Sequence, residues 1–196
     1  MTPTAILLCL GAYLGGSIPT GMLVARARGV DLRGVGSGNI GATNVARALG
    51  RGFAIAVLLG DALKGFVPVF VGRTLLPQLP PGAVALAGLA AIVGHMFTIF
   101  LRGRGGKGVA TSLGVALAIS PPAALCGFAL YILVYLTLRI SSVGSLLGMW
   151  SFPAFAVLLG GVPRPYLALS IGTALLVTLR HRANIARLLR GEEKRA

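Results

Sequence analysis

The sequence predicts an all-α, polytopic membrane protein with seven transmembrane helices, its N-terminus outside and its C-terminus in the cytoplasm. Three observations carry this prediction. The chain is 56% hydrophobic and only 11% charged, where a soluble domain carries about 25% charged residues. Its mean hydropathy is +0.88. Long apolar runs alternate with short connectors rich in glycine and arginine, and the cations crowd onto alternate connectors. No hydrophilic stretch is long enough for a second domain, so residues 1–196 read as a single integral-membrane domain.

Hydropathy places the spans at 4–25, 52–72, 82–101, 109–120, 123–139, 142–160 and 165–180. The chain opens Met1-Thr2-Pro3-Thr4, without the basic segment of a cleavable signal peptide, so the first span is expected to be retained. Pro19 removes an N–H from that span and kinks or ends it. The fourth span lies between Gly108 and Pro121-Pro122 and is shorter than the ~20 residues that normally cross a bilayer. Gly11, Gly15, Gly16, Gly88 and Gly94 suit close helix contact better than ligand binding. Cys9 and Cys126 lie in apolar segments with no CxxC pattern and read as ordinary small residues.

With seven spans, one side of the membrane receives Arg26, Arg28, Arg33, Arg47, Arg51, Arg102, Arg104, Lys107 and Arg139. It also receives Arg180, Arg182, Arg187, Arg190, Lys194 and Arg195, while the other side has only Arg73 and Arg164. Positive charge concentrates on cytoplasmic loops, which sets the orientation. The formal net charge of +14 is therefore a topology signal, not a nucleic-acid footprint. It also attracts anionic lipid and anionic metabolites.

Four polar clusters require an explanation in so apolar a chain. Residues 16–21, GSIPTG, mark the broken end of the first span. Residues 36–47, GSGNIGATNVAR, form a loop in which Ser37, Asn39, Thr43 and Asn44 offer hydrogen bonds and Arg47 can grip a phosphate with two parallel bonds. Irregular polar backbone at membrane depth is tolerated where it lines a cavity, which favours a binding role over a simple tether. Residues 103–111, GRGGKGVAT, combine Gly105, Gly106 and Gly108 with Lys107 ahead of a helix, the physical ingredients of an anion cradle. The spacing is not that of a Walker A motif, which disfavours ATP hydrolysis. After the last span, His181, Asn184 and Arg187 recur every third residue and share a helix face.

Two further features stand apart. Asp61 and Lys64, three residues apart inside the second span, read as a mutually neutralising pair with a packing role. His95, near the end of the third span, either orients the lysine loop or bonds a backbone carbonyl. No HExxH, cysteine cluster or nucleotide fingerprint is present, so neither a metal nor a redox cofactor is expected.

Five motifs recur here in one order: GSIPTG at 16–21, GSGNIGATNVAR at 36–47, DALKG at 61–65, GHMF at 94–97 with GGKGVAT at 105–111, and HRANIARLLRGEE at 181–193. In kind and order they resemble the bacterial acyl-phosphate:glycerol-3-phosphate acyltransferase family, PlsY. The resemblance implies a seven-helix protein of the bacterial inner membrane with a cytoplasmic active site. It implies transfer of a fatty acyl group from acyl phosphate to the 1-hydroxyl of sn-glycerol 3-phosphate, giving lysophosphatidic acid and phosphate. It further implies metabolic coupling to a soluble enzyme that makes acyl phosphate.

Carried onto this chain, the second motif points to Ser37, Asn39, Thr43, Asn44 and Arg47. The lysine–glycine motif points to Gly105, Gly106, Lys107 and Gly108, and the last motif to His181, Asn184 and Glu193. Thr98 stands where family members usually carry proline, and Gly103-Arg104 where Phe-Lys is usual. The expected catalytic group is His181, Ser37, Asn184 and Lys107. Histidine changes charge near neutral pH, which makes His181 the protein's best general-base candidate; the alternative is a substrate phosphate that takes the proton itself. No His-x4-Asp pattern of thioester-using acyltransferases is present. A transporter for phosphorylated metabolites, with Asp61 and Lys64 as a gate, is the competing reading from another class, and a non-catalytic binder of anionic lipid is a third. Neither accounts for five ordered motifs.

Overall fold

The structure is a computed structural model that describes residues 1–195. The described residues are helical, with no strand among them. They form two compact units, the first running from Met1 to Val115 and the second beginning at Ala116.

The first unit opens with α1 (Pro3–Ser17). Thr2 caps it by accepting the Ala5 N–H at 3.3 Å, and Pro3 takes the first position, where its missing N–H costs nothing. The predicted span 4–25 is two helices: α1 stops at Ser17, and α2 (Thr20–Ala27) begins after the break at Ile18 and Pro19. A short α3 (Ala42–Leu49) precedes α4 (Arg51–Phe70), which continues as a π-helical turn over Val71–Leu75. α5 (Pro81–Met96) also ends before its predicted boundary, and a 3-10 turn at Ile99–Leu101 follows. α6 (Val109–Ile119) contains the boundary between the units.

α1 and α5 pack along their length through small residues, Ala12 against Ala87 and Ala91. At two positions the contact requires glycine. A Cβ on Gly16 would lie 2.2 Å from the Ala91 carbonyl oxygen, and one on Gly94 would lie 2.3 Å from that of Tyr13. Gly11 and Gly15, expected in the same role, face open space instead. A separate core of Met22, Ala25, Leu32, Ile40, Val45 and Val57 seats α2, α3 and the intervening loop on α4.

In the second unit, α7 (Pro121–Leu138) packs on α8 (Ser141–Leu158), with Gly127 and Gly148 facing each other, and α8 packs on α9 (Arg164–Arg180). His181 joins α9 to a terminal helix, α10 (Arg182–Leu189). Among the described residues five helical segments are long and apolar enough to cross a membrane: Pro3–Ala27, Arg51–Leu75, Pro81–Leu101, Pro121–Leu138 and Ser141–Leu158. The other two expected spans correspond to shorter helices. α6 has 11 residues and α9 has 17, or about 16 and 26 Å at 1.5 Å per residue.

The α1–α5 contact can be tested with one methyl group. Gly94→Ala should destabilise the protein by about 1–3 kcal/mol through overpacking, whereas Gly15→Ala should be neutral or slightly stabilising. Thermal midpoints of the two variants in detergent check this; equal midpoints would show that the close approach is not required.

Candidate active site

The second glycine-rich motif is only partly a loop. Residues 36–41 are irregular, but Ala42, Thr43, Asn44 and Arg47 belong to α3. The sequence there is amphipathic: Val45 is buried and Ala42, Ala48 and Leu49 pack on the same core, while Thr43 and Arg47 lie one turn apart on another face. Asn44, expected from sequence to meet substrate, is engaged within the loop. It is 1% exposed. Its amide nitrogen donates to the carbonyls of Leu32 at 3.2 Å and Val35 at 3.0 Å, and its oxygen accepts the Ser37 N–H at 3.0 Å. Both donors and the acceptor are used on backbone, so this side chain shapes the loop.

That shape gathers the rest of the motif around Gly36, which has a positive φ of 60°. A Cβ there would meet Asn44 Oδ1 at 2.3 Å and Arg47 Cδ at 3.5 Å. Ser37 is therefore presented beside the helix that carries Arg47. Asn39 is half-buried next to Gly41, whose Cβ would lie 3.2 Å from the Asn39 amide nitrogen.

The lysine loop follows from the way α5 ends. Gly105 and Gly106 fold back and donate their N–H groups to the Met96 and His95 carbonyls, each at 3.1 Å. Gly105, Gly106 and Gly108 are buried, and Lys107 stands between them one step before α6. The N-terminus of a helix, a fixed cation and close-packed glycine backbone together favour an anion. The connector ahead of the second motif is tied to the lysine loop: the Arg33 guanidinium donates to the Arg104 carbonyl. Beside this contact opens a pocket of about 740 Å³ whose lining includes Arg26, Arg33, Arg102, Arg104, Asp31 and Phe100. Four guanidiniums against one carboxylate give it a positive potential that collects anionic ligands.

The departures from the family pattern have structural counterparts. Thr98 donates its hydroxyl to the Ser17 carbonyl and accepts the Phe100 N–H at 3.2 Å. Arg102 and Gly103 both have positive φ, at 51° and 78°, and end the turn.

In the second unit His181 is 2% exposed and sits at the joint between α9 and α10. Its Nδ1–H donates to the Val177 carbonyl at 2.8 Å, since a carbonyl can only accept. In the neutral ring this places the lone pair on Nε2, the arrangement a general base needs. Asn184, one turn on, donates to Glu193 Oε1 at 2.5 Å. Ser142 donates to the same oxygen at 2.8 Å, and Arg187 reaches Oε2 at 2.7 Å. Glu193 was expected to contact substrate or phosphate. In the structure it is the hub of an internal cluster of three donors. Ser142 was missed by the sequence reading, although a Ser-Ser pair directly after Arg139 and Ile140, at a predicted cytoplasmic end, was a usable signal.

The glycerol-3-phosphate acyltransferase family matches residues 6–191. The chain is 51% identical over 191 residues to the glycerol-3-phosphate acyltransferase of Geobacter sulfurreducens, covering 97% of this chain and 96% of that one. It is 48% identical over 190 residues to that of Rubrobacter xylanophilus, covering 97% and 94%. Among solved structures, PlsY, an integral membrane glycerol 3-phosphate acyltransferase in its glycerol 3-phosphate form, superposes with a TM-score of 0.94 at 42% identity, covering 98% of this chain and 96% of that one. Its lysophosphatidic acid form gives a TM-score of 0.91 at 41% identity, covering 98% and 95%. The apolar helical fold and these matches thus define a multi-pass membrane protein of lipid biosynthesis. The chain belongs to the glycerol-3-phosphate acyltransferase family.

Burial pushes the Glu193 carboxyl up, but hydrogen bonds from Asn184, Ser142 and Arg187, with the Arg187 charge, outweigh it and hold the group below its ordinary value of 4.5. The stabilisation this implies is present above that value and is lost as pH falls through the lower folded-state value. The thermal midpoint of Glu193→Gln should therefore lie below that of the wild type at pH 7, and the gap should close in acid. A gap that does not change with pH would remove Glu193 from the hub.

Proposed function

We propose that this chain transfers a fatty acyl group from acyl phosphate to the 1-hydroxyl of sn-glycerol 3-phosphate, releasing lysophosphatidic acid and inorganic phosphate. The observation that carries this reading is the buried glycine–lysine loop ahead of α6, tied by Arg33 to the loop that presents Ser37 and Arg47. It is supported by the family membership and by the glycerol 3-phosphate and lysophosphatidic acid forms of the similar PlsY structures. Residues 1–196 act as one integral-membrane domain with seven spans. It lies in the bacterial inner membrane with the N-terminus outside and the arginine-rich loops and C-terminus in the cytoplasm, and a soluble enzyme supplies the acyl phosphate.

Acyl phosphate is a mixed anhydride with a good leaving group, so no acyl-enzyme is required. The glycerol 3-phosphate hydroxyl attacks the acyl carbon, the new ester C–O bond forms, and the bond from carbon to the phosphate oxygen breaks with its electron pair on phosphate. Lys107 and Arg47 neutralise phosphate charge. Ser37, Asn39 and Thr43 orient polar parts of the substrates. His181 Nε2 accepts the hydroxyl proton, with the Val177 carbonyl fixing the ring. Asn184, held by Glu193, keeps its place beside this histidine on the helix face.

Purified protein given palmitoyl phosphate should release phosphate only when glycerol 3-phosphate is present, with matching formation of lysophosphatidic acid. Equal release with and without glycerol 3-phosphate would overturn the reading. His181→Ala should lower kcat by about 100-fold or more with little change in glycerol 3-phosphate binding. Retention of most of the rate would assign the proton to a substrate phosphate. Lys107→Ala should chiefly damage phosphate recognition, seen as a raised KM; wild-type kinetics would take Lys107 out of the site.

A further inference from the structure

The proposed reaction uses none of the buried ionisable groups at the centre of the first unit. Asp61 on α4 is 2% exposed and His95 on α5 is 5% exposed. Lys64 Nζ lies 2.6 Å from Asp61 Oδ1, forming the pair expected from their spacing. A pair that only neutralised itself would stop there. Lys64 also donates to the Ile18 carbonyl at 2.7 Å, at the break between α1 and α2, and lies 3.4 Å from His95 Nδ1. Asp61 Oδ1 is 3.7 Å from the same ring nitrogen.

An ammonium can only donate, so the contact with Lys64 makes Nδ1 of His95 the acceptor and puts its proton on Nε2. That edge of the ring faces the lysine loop, where a Cβ on Gly106 would lie 2.2 Å from His95 Nε2. The backbone of the same histidine accepts the Gly106 N–H, and a Cβ on Gly105 would lie 2.0 Å from the His95 carbonyl oxygen. The loop therefore rests directly on His95, and Lys107 is the next residue. α4 also holds the far side of the loop: a Cβ on Gly65 would lie 2.0 Å from the carbonyl oxygen of Thr111, in the first turn of α6.

We propose that Asp61, Lys64 and His95 form a buried brace that fixes the height and ring orientation under Gly105–Gly106–Lys107, making them positioning residues for phosphate recognition. This rests on the reading of that loop as the phosphate site. Lys107 meets an anion only in one geometry, and a misplacement of about 1 Å costs up to about 100-fold.

The test uses purified protein in detergent, with initial rates measured against glycerol 3-phosphate and with inorganic phosphate binding measured by calorimetry. The key variant is the double change Asp61→Asn with Lys64→Met, which leaves no unpaired buried charge and so separates bracing from charge compensation. It should raise KM at least about ten-fold with kcat within about three-fold, and weaken inorganic phosphate to match. His95→Leu should do the same, and His95→Gln, whose amide can supply a donor toward Gly106, should recover part of the loss. Lys64→Met combined with His95→Leu should be no worse than the poorer single variant, because both act along one path. Wild-type KM and phosphate affinity in the neutral double variant would overturn the brace and leave the pair as charge compensation in a helix. A lowered kcat at unchanged KM would overturn it equally. If the wild type itself shows no dependence on glycerol 3-phosphate, the functional reading fails alone, and the calorimetric comparison still decides the brace.

Discussion

Helices that stop inside apolar surroundings leave carbonyls with no water to accept from, and the first unit depends on how it resolves that constraint. α1 and α5 both end early, and each supplies partners for the other. Ser17 donates its hydroxyl to the Gly94 carbonyl at 3.3 Å, Thr98 donates to the Ser17 carbonyl, and Tyr13 donates to the Phe97 carbonyl at 3.1 Å. Lys64 takes the Ile18 carbonyl. These bonds form only if the helices approach closely, which is why Gly16 and Gly94 are needed at the crossing. The irregular backbone that follows, the lysine loop, is a consequence: freed from α5, Gly105 and Gly106 return to the carbonyls of its last turn.

The same economy governs which polar side chains are enclosed. Asn44 and Glu193 lie within motifs that also carry exposed or half-buried polar groups, yet each has its hydrogen-bonding capacity committed within the protein. A side chain already engaged on both its donors and its acceptor must give up bonds to meet a substrate, at a cost of about 1–3 kcal/mol for each buried group left unsatisfied. Ser37 and Arg47 lie at the surface and Lys107 is half-buried. A rigid interior with adaptable groups at its edge is the arrangement that preorganises a binding site.

Much of this was legible in the chain. Hydropathy located the long apolar helices, because apolar runs bounded by glycine, proline and arginine admit few alternatives in a membrane, but it left α3 inside a stretch read as a loop. The Asp61–Lys64 pair followed from spacing alone. What sequence could not separate was ligand from scaffold within a motif. Asn39 and Asn44 offer the same amide, and only the backbone path from Leu32 to Ser37 decides that one of them is enclosed. Sequence also missed the partnership of His95 with Lys64, since the two are 31 residues apart and no local period connects them. It read the first and third spans as unbroken helices for a related reason: composition reports how apolar a stretch is, not where its hydrogen bonds change partners.

Thr98 shows how such a change of partner can be reached by different chemistry. Where relatives of this kind are expected to carry proline, a ring would set φ near −65° and stop the helix without supplying a donor. Thr98 adopts φ −60° unaided, within that range. Its hydroxyl then does what proline cannot: it donates to the Ser17 carbonyl on the opposite helix and accepts the Phe100 N–H of the next turn. The bend is thus held by contacts across the α1–α5 crossing in place of a stiff ring. Its geometry in this chain is tied to the same crossing that sets Gly94, His95 and the loop above them, so the shape of the lysine loop and the packing of the helices beneath it are one structural problem.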